Sequence, residues 1–186
     1  MFCDGIGGKL WKKIIDDLQF LLKVDDVLFV HAGIDPDWLE QINEQHGIRD
    51  ITALNNFLIA ELKKNPWSHI LNSANSPIWT RRLAMESDEI VCDVLLPKIF
   101  KFFKVKRIVV GHTPQESLRT QSRCGAQLFL ADVAMSRWMG SGQFGNPSAV
   151  IFSIQNSRVH NVYWNGASVI KQVLWPIEHV VDNLEL

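Results

Sequence analysis

The chain has 186 residues, 47% hydrophobic and 21% charged, which excludes global disorder and allows a substantial core without disulfide or metal staples. Nineteen Lys and Arg against twenty Asp and Glu leave a formal charge of -1, so no overall field favours nucleic acid or an acidic membrane. No apolar run approaches the roughly 20 residues of a membrane helix, and three cysteines at wide spacings, Cys3, Cys92 and Cys124, read as reduced thiols of a cytoplasmic protein.

Met1 to Gly8 shows no strand pattern, although an α/β enzyme usually opens with one. Leu10, Ile14, Ile15, Leu18, Leu21 and Leu22 recur at helical spacing and predict an amphipathic helix. Asp25-Asp26 forms a turn, and Val27-Leu28-Phe29-Val30 predicts a buried strand that ends at His31-Ala32-Gly33. Asp35 followed by Pro36 reads as a cap and first helical position, with the helix running to about Glu44 and stopped by Gly47.

Leu54, Phe57, Leu58 and Leu62 predict a helix from Asp50 to Lys64, closed by Asn65-Pro66. Residues 67–82 are loop by composition and include Trp79-Thr80-Arg81-Arg82. A further helix fits Asp88 to Phe103, with Pro97 kinking or interrupting it, and Ile108-Val109-Val110 is a second apolar run, ending at Gly111-His112. Beyond it, strands are predicted over Gln127–Ala131, Ala149–Ile154, Arg158–Trp164 and Ser168–Leu174, the last three an antiparallel meander with turns at Asn156-Ser157 and Asn165-Gly166. No internal repeat or linker divides the chain, so one contiguous α/β unit is the economical reading.

Two histidines at the carboxyl ends of buried strands stand where ligands collect in open α/β sheets. Each can present a ring nitrogen to a metal or phosphate, or simply hydrogen-bond at the rim of a core. His46, His69, His160 and His179 match no such position, and the tryptophans other than Trp79 read as core or interface filler.

Four strings in order resemble the motifs of the calcineurin-like metallophosphatases, and among them the Shewanella-like protein phosphatases. Leu28-Phe29-Val30-His31-Ala32-Gly33-Ile34 resembles the family's strand ending in a metal-binding His. Pro77-Ile78-Trp79-Thr80-Arg81 resembles its tryptophan-arginine loop, Val109 to Gln115 its late Gly-His-Thr motif, and Leu130 to Ser136 the strand and turn that follow.

The resemblance spans about residues 20–140. It implies the carboxyl-terminal half of a calcineurin-like β-sandwich flanked by helices, a single partial domain over 1–186. It also implies two divalent ions, manganese, iron or zinc, sharing a water that attacks phosphorus. His31 and His112 would ligate one of them, and Arg81, with Arg82 as the alternative, would hold phosphate oxygens. Asp132 would orient His112 or a nearby loop, unless it only caps the turn into Val133-Ala134.

The family's D-x-H, G-D-x-x-D-R-G and G-N-H-E motifs do not occur in these 186 residues. The chain could therefore supply ligands for only one ion, and the expectation is no significant hydrolysis by the chain alone. Three readings follow. One is part of a protein phosphatase acting on phosphoserine, phosphothreonine or phosphotyrosine. The others are a dinucleoside polyphosphate hydrolase acting on a phosphorylated small molecule, and a non-catalytic binding remnant of the fold.

Overall fold

The structure, a computed structural model, describes residues 14–15, 17–134, 148–153, 158–164 and 167–175. Two compact units, Met1–Thr113 and Pro114–Leu186, divide the chain. Among the described residues no helix is long and apolar enough to cross a membrane.

The first unit is built on three strands, β1 (Leu21–Val24), β2 (Val27–Val30) and β3 (Arg107–Val110). β2 runs antiparallel to β1 and parallel to β3, so the sheet is mixed. Leu28, Ile108 and Val110 are almost wholly buried, as apolar runs in a sheet covered on both faces should be.

β1 takes the last two positions of the helix predicted from Leu10 to Leu22, and the reason is tertiary. Asn55 accepts from the backbone N–H groups of Phe20 and Leu21, both at 3.0 Å, and donates to the Leu21 carbonyl at 2.7 Å. A two-residue turn at Asp25-Asp26, with Asp25 at φ 51°, then folds β1 back on β2. The start of the predicted helix and the opening Met1 to Gly8 lie outside the described residues.

Helix α1 (Pro36–His46) begins and ends as expected. Asp35 accepts from the N–H groups of Asp37 and Trp38, Pro36 fills the first turn, and Gly47 at φ 67° donates to Asn43. Helix α2 (Ile51–Lys64) is capped by Asp50 and buries Leu54 and Leu58. The stretch expected to be loop contains one single helical turn, α3 (His69–Asn72), and ends where a second, α4 (Arg82–Met85), begins. Trp67 is 85% exposed, so of the two readings, core or interface filler, the core one does not hold for it.

The helix predicted from Asp88 to Phe103 is continuous but changes pitch. A short α5 (Asp88–Ile90) passes into a π-helical turn over Val91–Leu95 and then into α6 (Leu96–Phe103). Pro97 thus falls directly after the π-helical turn, an irregularity of the kind that accompanies a residue unable to donate an N–H within a helix. Asp26 fixes the start of β3: its carbonyl accepts from the N–H groups of Lys106 and Arg107, and its carboxylate pairs with both side chains.

In the second unit β4 (Gln121–Arg123) and β5 (Leu128–Leu130) form an antiparallel hairpin. Only β5 is legible in the sequence, because β4 is short, polar and exposed. Cys124, Gly125 and Ala126 make the turn, all left-handed. β6 (Ser148–Ser153), β7 (Arg158–Trp164) and β8 (Val169–Trp175) form the expected antiparallel meander. The turns read at Asn156-Ser157 and Asn165-Gly166 lie outside the described residues.

Two cysteines depart from the reduced reading: Cys92 and Cys124 are each disulfide-bonded. Disulfides persist in oxidising compartments, so the thiol argument for a cytoplasmic protein does not hold at these positions.

Candidate functional site

The site grows from the carboxyl ends of β2 and β3. The parallel register pairs Val30 with Val110, and the Gly111 N–H donates to the His31 carbonyl at 2.7 Å. The strands approach so closely here that a Cβ on Gly111 would stand 3.2 Å from that carbonyl oxygen.

Side chains alternate between faces along a strand, so His112, one residue past the position beside His31, would point away from it if the chain stayed extended. His112 instead turns left-handed at φ 64°, a conformation costing a non-glycine residue on the order of 1 kcal/mol. The turn places its ring centroid 5.0 Å from that of His31, with the planes at 57°.

The Trp79-Thr80-Arg81 loop closes over this pair. The Ala32 N–H donates to the Pro77 carbonyl at 3.0 Å, and Ser76 donates to the Leu71 carbonyl at 2.7 Å. Thr80 is buried while Trp79 is 47% exposed. The indole meets the His112 ring edge-on at 5.5 Å and 86°. Nη1 of Arg81 donates to the His112 carbonyl at 3.1 Å and the Thr113 hydroxyl at 3.3 Å. Asn72, Ala74, Trp79 and Arg81 line an adjoining open cavity of about 510 Å³.

Arg82 points elsewhere. Its Nη1 lies 3.1 Å from buried Asp35 and 3.0 Å from Asp37, and Nε lies 3.7 Å from Glu86. Burial opposes the Arg82 charge, but the hydrogen bond to Asp37 and the charge of Asp35 outweigh it and raise its pKa above the ordinary value. Arg82 thus holds the start of α1, whereas Arg81 faces the histidines.

Asp132 belongs to the second unit, where its carboxylate accepts from the Ala134 N–H at 3.0 Å, a turn of the Asx kind. The Ser136 end of the motif read from Leu130 lies outside the described residues. Three contributors had no assigned role in the sequence: Trp79 as a wall against His112, the Thr113 hydroxyl that positions Arg81, and Asn72 in the cavity. An exposed tryptophan beside two arginines in a Ser- and Asn-rich loop was the signal for the first.

Two imidazoles are two ligands of a set that first-row ions complete with about four to six. Among the described residues no group of three or more His, Cys, Asp or Glu side chains is placed to hold a metal ion. The pair can therefore supply at most two of the ligands that one such ion needs.

No family model matches the sequence. The uncharacterized protein C1840.07c of Schizosaccharomyces pombe is 33% identical over 110 residues, which cover 58% of this chain and 31% of that protein. The solved cold-active protein-tyrosine phosphatase of a psychrophilic Shewanella species superposes with a TM-score of 0.61 at 23% identity, over 84% of this chain and 43% of its own. A second structure of a cold-active protein tyrosine phosphatase, at 1.1 Å, gives 0.59 and 22% over 84% and 42%. At this identity the likeness is one of fold: a mixed sheet with helices, α/β as the sequence predicted. The chain spans less than half the length of these relatives.

Proposed function

We propose that this chain is the His31–His112 side of a phosphomonoesterase acting on phosphoproteins, with the two histidines as metal ligands and Arg81 as the phosphate-binding group. The convergence of the two imidazoles at 5.0 Å, with Arg81 held against the backbone of His112, carries this reading. The fold shared with the Shewanella tyrosine phosphatase supports it.

Arg81 would grip two oxygens of a phosphate monoester with donors left over from its bonds to His112 and Thr113. Trp79 would shield one side of the site from water and keep the His112 ring in place. A divalent ion, when bound, would polarise the phosphoryl oxygens and activate water. The donor set of these residues is half of what a dinuclear site needs, so turnover requires further ligands and a general acid beyond those that stand beside the pair among the described residues.

The absence of a third ligand beside the pair among the described residues favours, as a second reading, a module that binds phosphate without hydrolysing it. Calorimetric titration with manganese and zinc, with and without orthovanadate, tests the first reading. Binding of one ion that is lost in His112→Ala is expected, and no binding of either ion removes the histidines from the site. A colorimetric phosphatase assay on a phosphotyrosine peptide with manganese should read zero for the chain alone. Turnover that tracked the protein and vanished in His112→Ala would contradict the dependence on further ligands.

A further inference from the structure

We propose that the groove between α1 and α6 binds an acidic peptide segment that carries an apolar side chain. The groove encloses about 530 Å³. One wall is the stripe Pro36, Leu39, Glu40 and Asn43, spaced i, i+3, i+4, i+7 on α1. The other is Lys98, Lys101 and Phe102, spaced i, i+3, i+4 on α6. Arg49, in the link between α1 and α2, closes one end.

Charge and shape select the occupant. Arg49, Lys98 and Lys101 face a single lining carboxylate, Glu40, on a chain whose formal charge is -1. Lys98 lies 3.8 Å from Asp37, whereas Arg49 and Lys101 make no ion pair among the described residues, and both are exposed. Pro36 and Leu39 are buried and Phe102 half-buried, so the floor offers an inorganic oxyanion no hydrogen-bond donor. The volume lies within the range of about 300–1,000 Å³ that accommodates organic ligands. An apolar side chain on the floor with carboxylates reaching the cationic rim satisfies both surfaces at once.

The groove starts at Pro36, beside the Asp35 carboxylate held by Arg82, so a segment lying in it would be anchored next to the Arg81 loop. The proposal concerns binding alone and stands whether or not the histidine pair supports hydrolysis.

Fluorescence anisotropy of a labelled Glu-Glu-Leu-Phe-Glu-Glu peptide on the whole chain tests it. Saturable binding that weakens with salt, and at least a tenfold loss in the double variant Arg49→Glu, Lys101→Glu, are expected. Lys63→Glu with Lys64→Glu on α2 carries the same change of net charge and should bind as the unmodified chain does. Circular dichroism melts check folding, and Arg49→Gln with Lys101→Gln replaces the reversal if that variant is unfolded. Equal binding of the Lys-for-Glu peptide, an unaffected double variant, or equal displacement by millimolar inorganic phosphate would each overturn the proposal.

Discussion

The rings of His31 and His112 stand 5.0 Å apart although the strands carrying them bring Gly111, not His112, beside His31. The pair exists because the chain leaves the strand one residue early and turns left-handed at His112. Strain kept at a strand end, where straightening the backbone would separate two imidazoles, marks the position as one held for its side chain.

Gly111→Ala probes that junction. The added Cβ would meet the His31 carbonyl oxygen at 3.2 Å, a backbone atom that yields only if β2 and β3 separate. A loss of about 1 kcal/mol is expected, together with weaker manganese binding by the histidine pair. A variant with unchanged melting and unchanged metal affinity would show that the close approach does not hold the pair.

Arg81 and Arg82 should separate cleanly. Arg82→Ala leaves the Asp35 carboxylate, 1% exposed, with the α1 N–H groups as its remaining partners among the described residues and should cost about 2 kcal/mol. Arg81 is exposed, so Arg81→Ala should change stability by less than about 0.5 kcal/mol while abolishing orthovanadate binding. Denaturant melts and calorimetry on both variants test this, and equal stability losses would contradict the division of labour.

Much of this was legible because local rules and tertiary packing agree. Asp35-Pro36 and Gly47 set the ends of α1 by short-range chemistry, and the two apolar runs ending in His31 and His112 advertise their strand ends. The predicted helix over Leu10 to Leu22 gives way before Leu21, where Asn55, 34 residues away, takes the backbone groups the helix would use. The Arg82–Asp35 pair spans 47 residues, and the left-handed turn at His112 has no glycine to announce it. Neither leaves a periodic trace.

The thiols make a third test. Cys92 and Cys124 are disulfide-bonded and the sequence has three cysteines, so the denatured chain should titrate about one thiol without reductant and three after reduction. Three thiols in protein isolated without reductant would restore the reduced reading.

His160 makes stability depend on pH. It lies buried on β7, and its Nδ1 has no hydrogen-bond partner among the described residues. Burial first, and then the positive charges of Lys171 and Arg158, lower its pKa from the ordinary value. The folded chain therefore keeps this imidazole neutral at pH values where the unfolded chain has begun to protonate it, near pH 6.5. Because the unfolded state binds more protons in that window, this contribution is fully present above about pH 7 and declines as pH falls through about 6.5 towards the lowered folded value. Below that value it falls no further. Unfolding followed by near-ultraviolet circular dichroism, which reports the packing of Tyr163 and the tryptophans, should shift to lower temperature between pH 7.5 and 5.5. His160→Gln, which cannot take up the proton, should flatten that slope, and a slope unchanged in the variant would assign the pH dependence to other groups.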